Sequence, residues 1–92
     1  MAYSDYARIC KILGDETRIK IFDMLKKGKL TARKVLEKFN ITQPTLSYHM
    51  KMLTESGLVN AQKDGRWTYY SISQAALKDF LDFLKTFFNN AR

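Results

Sequence analysis

The run Thr42-Gln43-Pro44-Thr45-Leu46-Ser47-Tyr48-His49-Met50-Lys51 gathers short polar side chains that both donate and accept hydrogen bonds. That is the chemistry needed to read base edges: a carboxamide such as Gln43 can bond an adenine in two places, and hydroxyls can bond any base. At 100° per residue on a helix, Pro44, Ser47, Tyr48 and Lys51 lie about 100 to 200° from Leu46, so a polar face separates from an apolar one. Thr42, Gln43, Thr45, Ser47, Tyr48 and Lys51 are therefore the candidate base-reading set. Any one of them alone would be an ordinary solvated residue. The whole set, standing beside a basic hairpin, suits double-stranded DNA better. His49 falls nearer the apolar edge, where a packed, hydrogen-bonded role fits better than a base contact.

Catalysis has little to work with. The 92 residues hold one cysteine and one histidine, no glycine-rich phosphate loop and no acid pair on a shared face, so no enzyme and no cofactor is expected. Cys10 alone can close no intrachain disulfide and supply no zinc site, and a reducing cytoplasm is its simplest home. No stretch reads as a signal peptide or a membrane span. The length suits a single domain over residues 1–92.

Charge locates the interaction surface. The chain carries 16 basic and 9 acidic residues, a formal net charge of +7. Residues 1–25 balance, and residues 67–92 carry only +1. The block 26–66 holds Lys26, Lys27, Lys29, Arg33, Lys34, Lys38, Lys51, Lys63 and Arg66 against Glu37, Glu55 and Asp64. A polyanion is the natural partner of such a block.

Helical spacing runs through Tyr6, Ile9, Cys10 and Leu13, through Ile21, Phe22 and Leu25, and through Ala32, Val35, Leu36 and Phe39. Asp15, Thr31, Thr42 and Ser73 are the expected N-caps of the second to fifth helices, and Pro44 fits the first turn of the fourth. The third helix is expected over 31–39, the fourth over 42–56 and the last to about Asn90. Gly14, Gly28 and Gly57 read as left-handed residues just past helix ends. Between the fourth and fifth helices the period changes to 2, and Asp64-Gly65 reads as a two-residue hairpin turn. That register sets Lys63 opposite Arg66, an unfavourable pairing a phosphate would relieve. It also puts Val59, Ala61, Tyr70 and Ile72 on one buried face, with Trp67 and Tyr69 packing on the other.

The expected fold is mainly α, a winged helix-turn-helix of five helices and a β-hairpin wing. The third helix braces and the fourth reads. Thr31 and Arg33 on the bracing helix, with Lys63 and Arg66 on the wing, are the candidate contacts to the DNA backbone. Leu77, Phe80, Leu81, Phe83, Leu84, Phe87 and Phe88 cover more of the last helix than one core contact requires. A homodimer through the first and last helices, with Tyr3, Tyr6 and Ile12 contributing, is the expected cover. With Lys78 and Lys85 offset by Asp79 and Asp82, that helix lacks the basic face of a membrane-surface helix. The rival reading is a winged-helix protein-interaction module without specific DNA binding.

Three runs carry a resemblance over almost the whole chain: Leu13-Gly14-Asp15-Glu16-Thr17-Arg18-Ile19-Lys20-Ile21, the stretch from Ile41 through Leu53, and Ser56-Gly57-Leu58-Val59. They resemble the ArsR/SmtB family of bacterial repressors. The resemblance implies a homodimer built from the first and last helices, an inverted-repeat operator and release of DNA on a signal. It implies DNA contact for Gln43, Ser47 and Tyr48, with the wing on the backbone. Many members sense metals through cysteines on the third helix or through histidine and acidic ligands on the last. Here the third helix has no cysteine and the last has no histidine, so no metal site is expected. The chain looks like a metal-independent member, similar to the sporulation-delaying-protein autorepressor type. Its inducer is left open, and a Cys10 pair across the dimer is the one disulfide the cysteine count permits.

Overall fold

Side-chain caps start four of the five helices at the residues whose chemistry calls for them. The computed structural model describes residues 1–88. In chain order it contains α1 (Tyr3–Leu13), α2 (Glu16–Met24), a 3-10 turn (Leu25–Lys27), β1 (Leu30–Thr31), α3 (Ala32–Leu36), α4 (Gln43–Glu55), β2 (Val59–Asp64), β3 (Trp67–Ile72) and α5 (Gln74–Lys85). Asp15 accepts from the Arg18 amide at 3.1 Å, Thr31 from Lys34 at 3.2 Å, Thr42 from Thr45 at 3.3 Å and Ser73 from Ala76 at 3.2 Å. Each satisfies an amide that has no partner inside its helix. The last helical position expected by the periodicity, Asn90, lies outside the described residues.

Three helix boundaries differ from expectation. α5 ends at Lys85, short of the expected Asn90, and the Thr86, Phe87 and Phe88 amides bond carbonyls three residues back. α3 ends at Leu36, and the Lys38 and Phe39 amides bond carbonyls three residues back, so the segment tightens instead of continuing as α-helix. Gly14 is not left-handed: its φ is −73°, because α2 begins at once behind the Asp15 cap. It is small for another reason, since a Cβ there would stand 3.3 Å from the carbonyl oxygens of Cys10 and Lys11. Gly57 takes a positive φ of 84° as expected, whereas Gly28, at φ 145° and ψ 174°, has a positive φ but is not left-handed helical.

The sheet has three antiparallel strands in the order β1-β3-β2, one strand more than the wing hairpin alone. Leu30 and Thr31 pair with Tyr70 and Tyr69, which ties the start of α3 to the wing. The hairpin register also differs. Asp64 pairs with Trp67, Lys63 with Thr68, Ala61 with Tyr70 and Val59 with Ile72. The turn is therefore Gly65-Arg66, with Gly65 at φ 63°, a conformation that suits glycine. Lys63 does not face Arg66, so the expected like-charge pair does not exist. Partners move by two along β3, so the faces survive: Val59, Tyr70 and Ile72 still turn inward, although Ala61 is exposed.

Ile12, Ile21, Leu25, Val35, Leu46, Met50, Leu53 and Val59 form the main core. Ile9, Leu58 and Phe80 form a second cluster, joined by Tyr6 and Leu77, where α5 rests on α1. Ile12 was expected at a dimer surface, but at 6% exposure it belongs to the core of its own chain, and Phe80 is likewise spent on intrachain packing. Ser56 closes α4: its buried hydroxyl donates to the Leu53 carbonyl and accepts from the Leu58 amide.

Candidate nucleic-acid interface

α4 buries Leu46, Met50 and Leu53, which fixes the opposite side of the helix toward solvent. Gln43, Thr45, Ser47, Tyr48 and Lys51 are all exposed there, Tyr48 to 56%. Gln43, Ser47 and Lys51 make no side-chain hydrogen bond or ion pair among the described residues, so their polar groups are free for another molecule. Thr42 and Thr45 are more committed. The Thr42 hydroxyl caps the helix and also donates to the Thr45 hydroxyl at 3.0 Å. They fix the end of the helix as well as lining it.

Around this face the cations are unpaired. Of the nine basic residues in the block 26–66, only Lys26 makes an ion pair within the described residues, with Asp23 at 2.9 Å. Arg33 is exposed on the first turn of α3, and Lys63 and Arg66 are exposed on the wing. The Arg66 guanidinium lies over the Trp67 ring, 5.5 Å from its centroid, and Lys29 covers Tyr69 at 4.8 Å. Trp67 is 41% exposed, so it serves the surface more than the packing role its alternation implied. A half-open cleft of about 390 Å³ lies between α3, α4 and β3, lined by Thr31, Arg33, Gln43, Ser47, Arg66 and Trp67 among others. α3 with its cap, α4 and the wing thus bring Thr31, Arg33, Gln43, Ser47 and Arg66 to one concavity, whereas Thr42, Thr45 and Lys63 lie outside it. Lys51 and Tyr48 stand on the reading face but do not line that cleft.

Behind the reading face, Arg18 anchors α4 to the preceding helices. Its Nε donates to the Ile12 carbonyl at 2.8 Å, and its Nη1 donates to His49 Nδ1 at 3.4 Å. His49 is half-buried in this bridge, which is a positioning geometry. The Arg18 amide holds the Asp15 carboxyl below the usual carboxylate range against the opposing effect of burial, with a lesser contribution from the guanidinium charge. Sequence spacing gave no sign of the Arg18 to His49 contact, which joins residues 31 apart in the chain.

The candidate dimer residues divide by burial. Tyr3, Leu81, Leu84, Phe87 and Phe88 are exposed, the last two to 72% and 79%. Phe83 is half-buried; Tyr6 stacks on it at 3.8 Å, and Phe87 meets it edge-on at 5.2 Å. The Tyr6 hydroxyl donates to Asp79 at 3.3 Å; desolvation and then the nearby Asp79 charge push the phenol above its ordinary value. α1 and α5 therefore share one aromatic surface, with Leu77 and Phe80 beneath it.

Comparison with known proteins agrees with this arrangement. A helix-turn-helix domain model matches residues 13–62, the span from the end of α1 through most of β2. The arsenical resistance operon repressor of Staphylococcus aureus is 43% identical, covering 88% of this chain and 78% of that protein. The transcriptional repressor SdpR of Bacillus subtilis is 35% identical over 88% of this chain and 90% of its own length. Among solved structures, an ArsR-like transcriptional regulator from Rhodococcus superposes with a TM-score of 0.82 at 26% identity, covering 92% of this chain and 80% of that one. With a reading helix, a bracing helix and a basic wing in one array and relatives of this kind along most of its length, the chain belongs to the ArsR family of winged helix-turn-helix transcriptional repressors.

Proposed function

We propose that this protein represses transcription by binding duplex DNA as a homodimer, with α4 of each subunit in a major groove of an inverted-repeat operator. The observation that carries this reading is the exposed ridge of Gln43, Ser47, Tyr48 and Lys51, without internal polar partners for Gln43, Ser47 and Lys51 and flanked by the unpaired cations Arg33, Lys63 and Arg66. Gln43, Ser47 and Tyr48 read base edges, Thr42 and Thr45 set the helix end against the groove, and Thr31, Arg33, Lys63 and Arg66 hold the sugar-phosphate backbone. The wing acts through Arg66 at the turn and Lys63 on β2 as separate cations, not as a repelling pair.

The exposed aromatic surface of α1 and α5 supports self-association: Tyr3, Leu81, Leu84, Phe87 and Phe88 leave an apolar face that water would otherwise cover. Binding of both subunits to one operator requires that a two-fold pairing of that face set the two α4 helices on one side of the dimer. All 92 residues then act as one DNA-binding and dimerisation domain in the cytoplasm. One cysteine per chain cannot assemble a multi-thiolate site within a subunit.

Selection from a random duplex library tests the reading. The account expects enrichment of an inverted repeat with half-site centres about 34 to 36 Å apart along the helix axis, one turn or a multiple of it. Recovery of unrelated duplexes with no shared repeat would overturn it.

A further inference from the structure

The cleft between α3, α4 and β3 has features that a DNA backbone does not use. Its lining includes Leu36, Leu46, Met50, Trp67 and Tyr70, an apolar and aromatic set beneath the polar rim. At about 390 Å³ it falls within the roughly 300 to 1,000 Å³ range of small-molecule sites. Two arginines, Arg33 and Arg66, line it, and no carboxylate does. Neither arginine makes an ion pair among the described residues. The Tyr70 hydroxyl likewise makes no hydrogen bond there, although the residue is half-buried, and burial pushes its phenol up, keeping it a proton donor. A phosphate diester would engage the guanidinium groups and leave the rings uncovered.

We propose that this cleft binds a small aromatic monocarboxylate, with the ring against Trp67, Tyr70 and Leu36 and the carboxylate on Arg33 and Arg66. Planar guanidinium groups match a carboxylate in geometry as well as charge. Gln43 and Ser47 line the same cleft, so an occupant takes space and hydrogen-bonding groups that the reading face needs. Ligand and DNA then compete. That coupling rests on the proposed DNA binding, whereas the binding of the carboxylate does not.

Trp67 is the sole tryptophan of the chain and lines the cleft, so its fluorescence reports occupancy in the DNA-free protein. Benzoate is the probe, with benzamide as the neutral isostere and inorganic phosphate as the non-aromatic anion. The expected result is a saturable change with half-saturation at about 0.1 to 1 mM, as suits so small a ligand. Benzamide, and benzoate with either Arg33→Gln or Arg66→Gln, should bind about tenfold or more weakly. Amide chemical-shift changes on titration should centre on residues of α3, α4 and β3, which keeps the test valid if Arg66→Gln alters the Trp67 emission itself. No saturable response, equal binding of benzamide, an equal response to phosphate, or undiminished binding by both variants would each overturn the proposal. A second titration follows displacement of a duplex from the protein. Benzoate that binds the free protein without releasing duplex overturns the competition, while a protein that binds benzoate but no duplex overturns the DNA reading and leaves the site standing.

Discussion

Gln43 and Arg66 border the same concavity and Lys63 stands on the wing outside it, yet the losses of reading and backbone residues should look different. Replacing Gln43 with Ala should cost about 1 to 3 kcal/mol, mainly at one base pair, because a side chain bonded to a base edge carries sequence information. Replacing Lys63 and Arg66 together with Ala should weaken specific and random duplexes about equally, since phosphates are alike everywhere. Affinity measured on a set of single-base operator variants separates the two, and the reverse pattern would exchange the roles. Asp15 offers a test of stability instead. Its carboxylate caps α2 and is held below the usual carboxylate range by the Arg18 amide. The stabilisation is therefore complete above that range and is lost as pH falls through the depressed value. Asp15→Ala should lower unfolding free energy by about 1 kcal/mol at neutral pH, with the deficit vanishing in acid; urea titrations at several pH values would expose a deficit that does not change.

At the scale of elements, the wing depends on Gly65, whose φ of 63° is open to glycine and costly for a branched side chain. Gly65→Val should destabilise the hairpin by about 1 to 2 kcal/mol and weaken duplex binding while leaving the Arg18 to His49 bridge and the far-ultraviolet helix signal intact; a variant with unchanged duplex affinity would remove the wing from the interface. The helix starts were legible because Asp15, Thr31, Thr42 and Ser73 act through local bonds, three residues in reach. The reading face was legible because the periodicity of Leu46, Met50 and Leu53 fixes what lies opposite. What local rules could not give is where distant segments choose between near-equal options. The Asp-Gly signal placed the turn one residue early, because Asp64 gains a ladder partner in Trp67 when Gly65 opens the turn. β1 is two residues long, too short for any alternation, and exists only through its pairing with β3. Ile12 fits an apolar stripe that serves both core and surface, and only packing against its own chain decided between them.

The whole molecule measures 51 × 25 × 23 Å, with a radius of gyration of 14.4 Å, above the roughly 12 Å expected of a 92-residue globule. That elongation accompanies an aromatic surface that a single chain does not cover. Leu84→Glu with Phe87→Glu should convert the protein to monomer, with helix content kept by circular dichroism and operator affinity reduced about 10² to 10⁴-fold through loss of two-site binding. Three cations per subunit, Arg33, Lys63 and Arg66, imply about six neutralised phosphates per dimer and a loss of about 10³ in affinity between 50 and 200 mM salt. The most direct measurement is sedimentation of the full chain with the duplex from upstream of its own gene, beside a scrambled duplex of equal length. The account predicts two chains per specific duplex and at least about 10³-fold weaker binding to the scrambled one. One chain per duplex, or equal affinity for both, would contradict it.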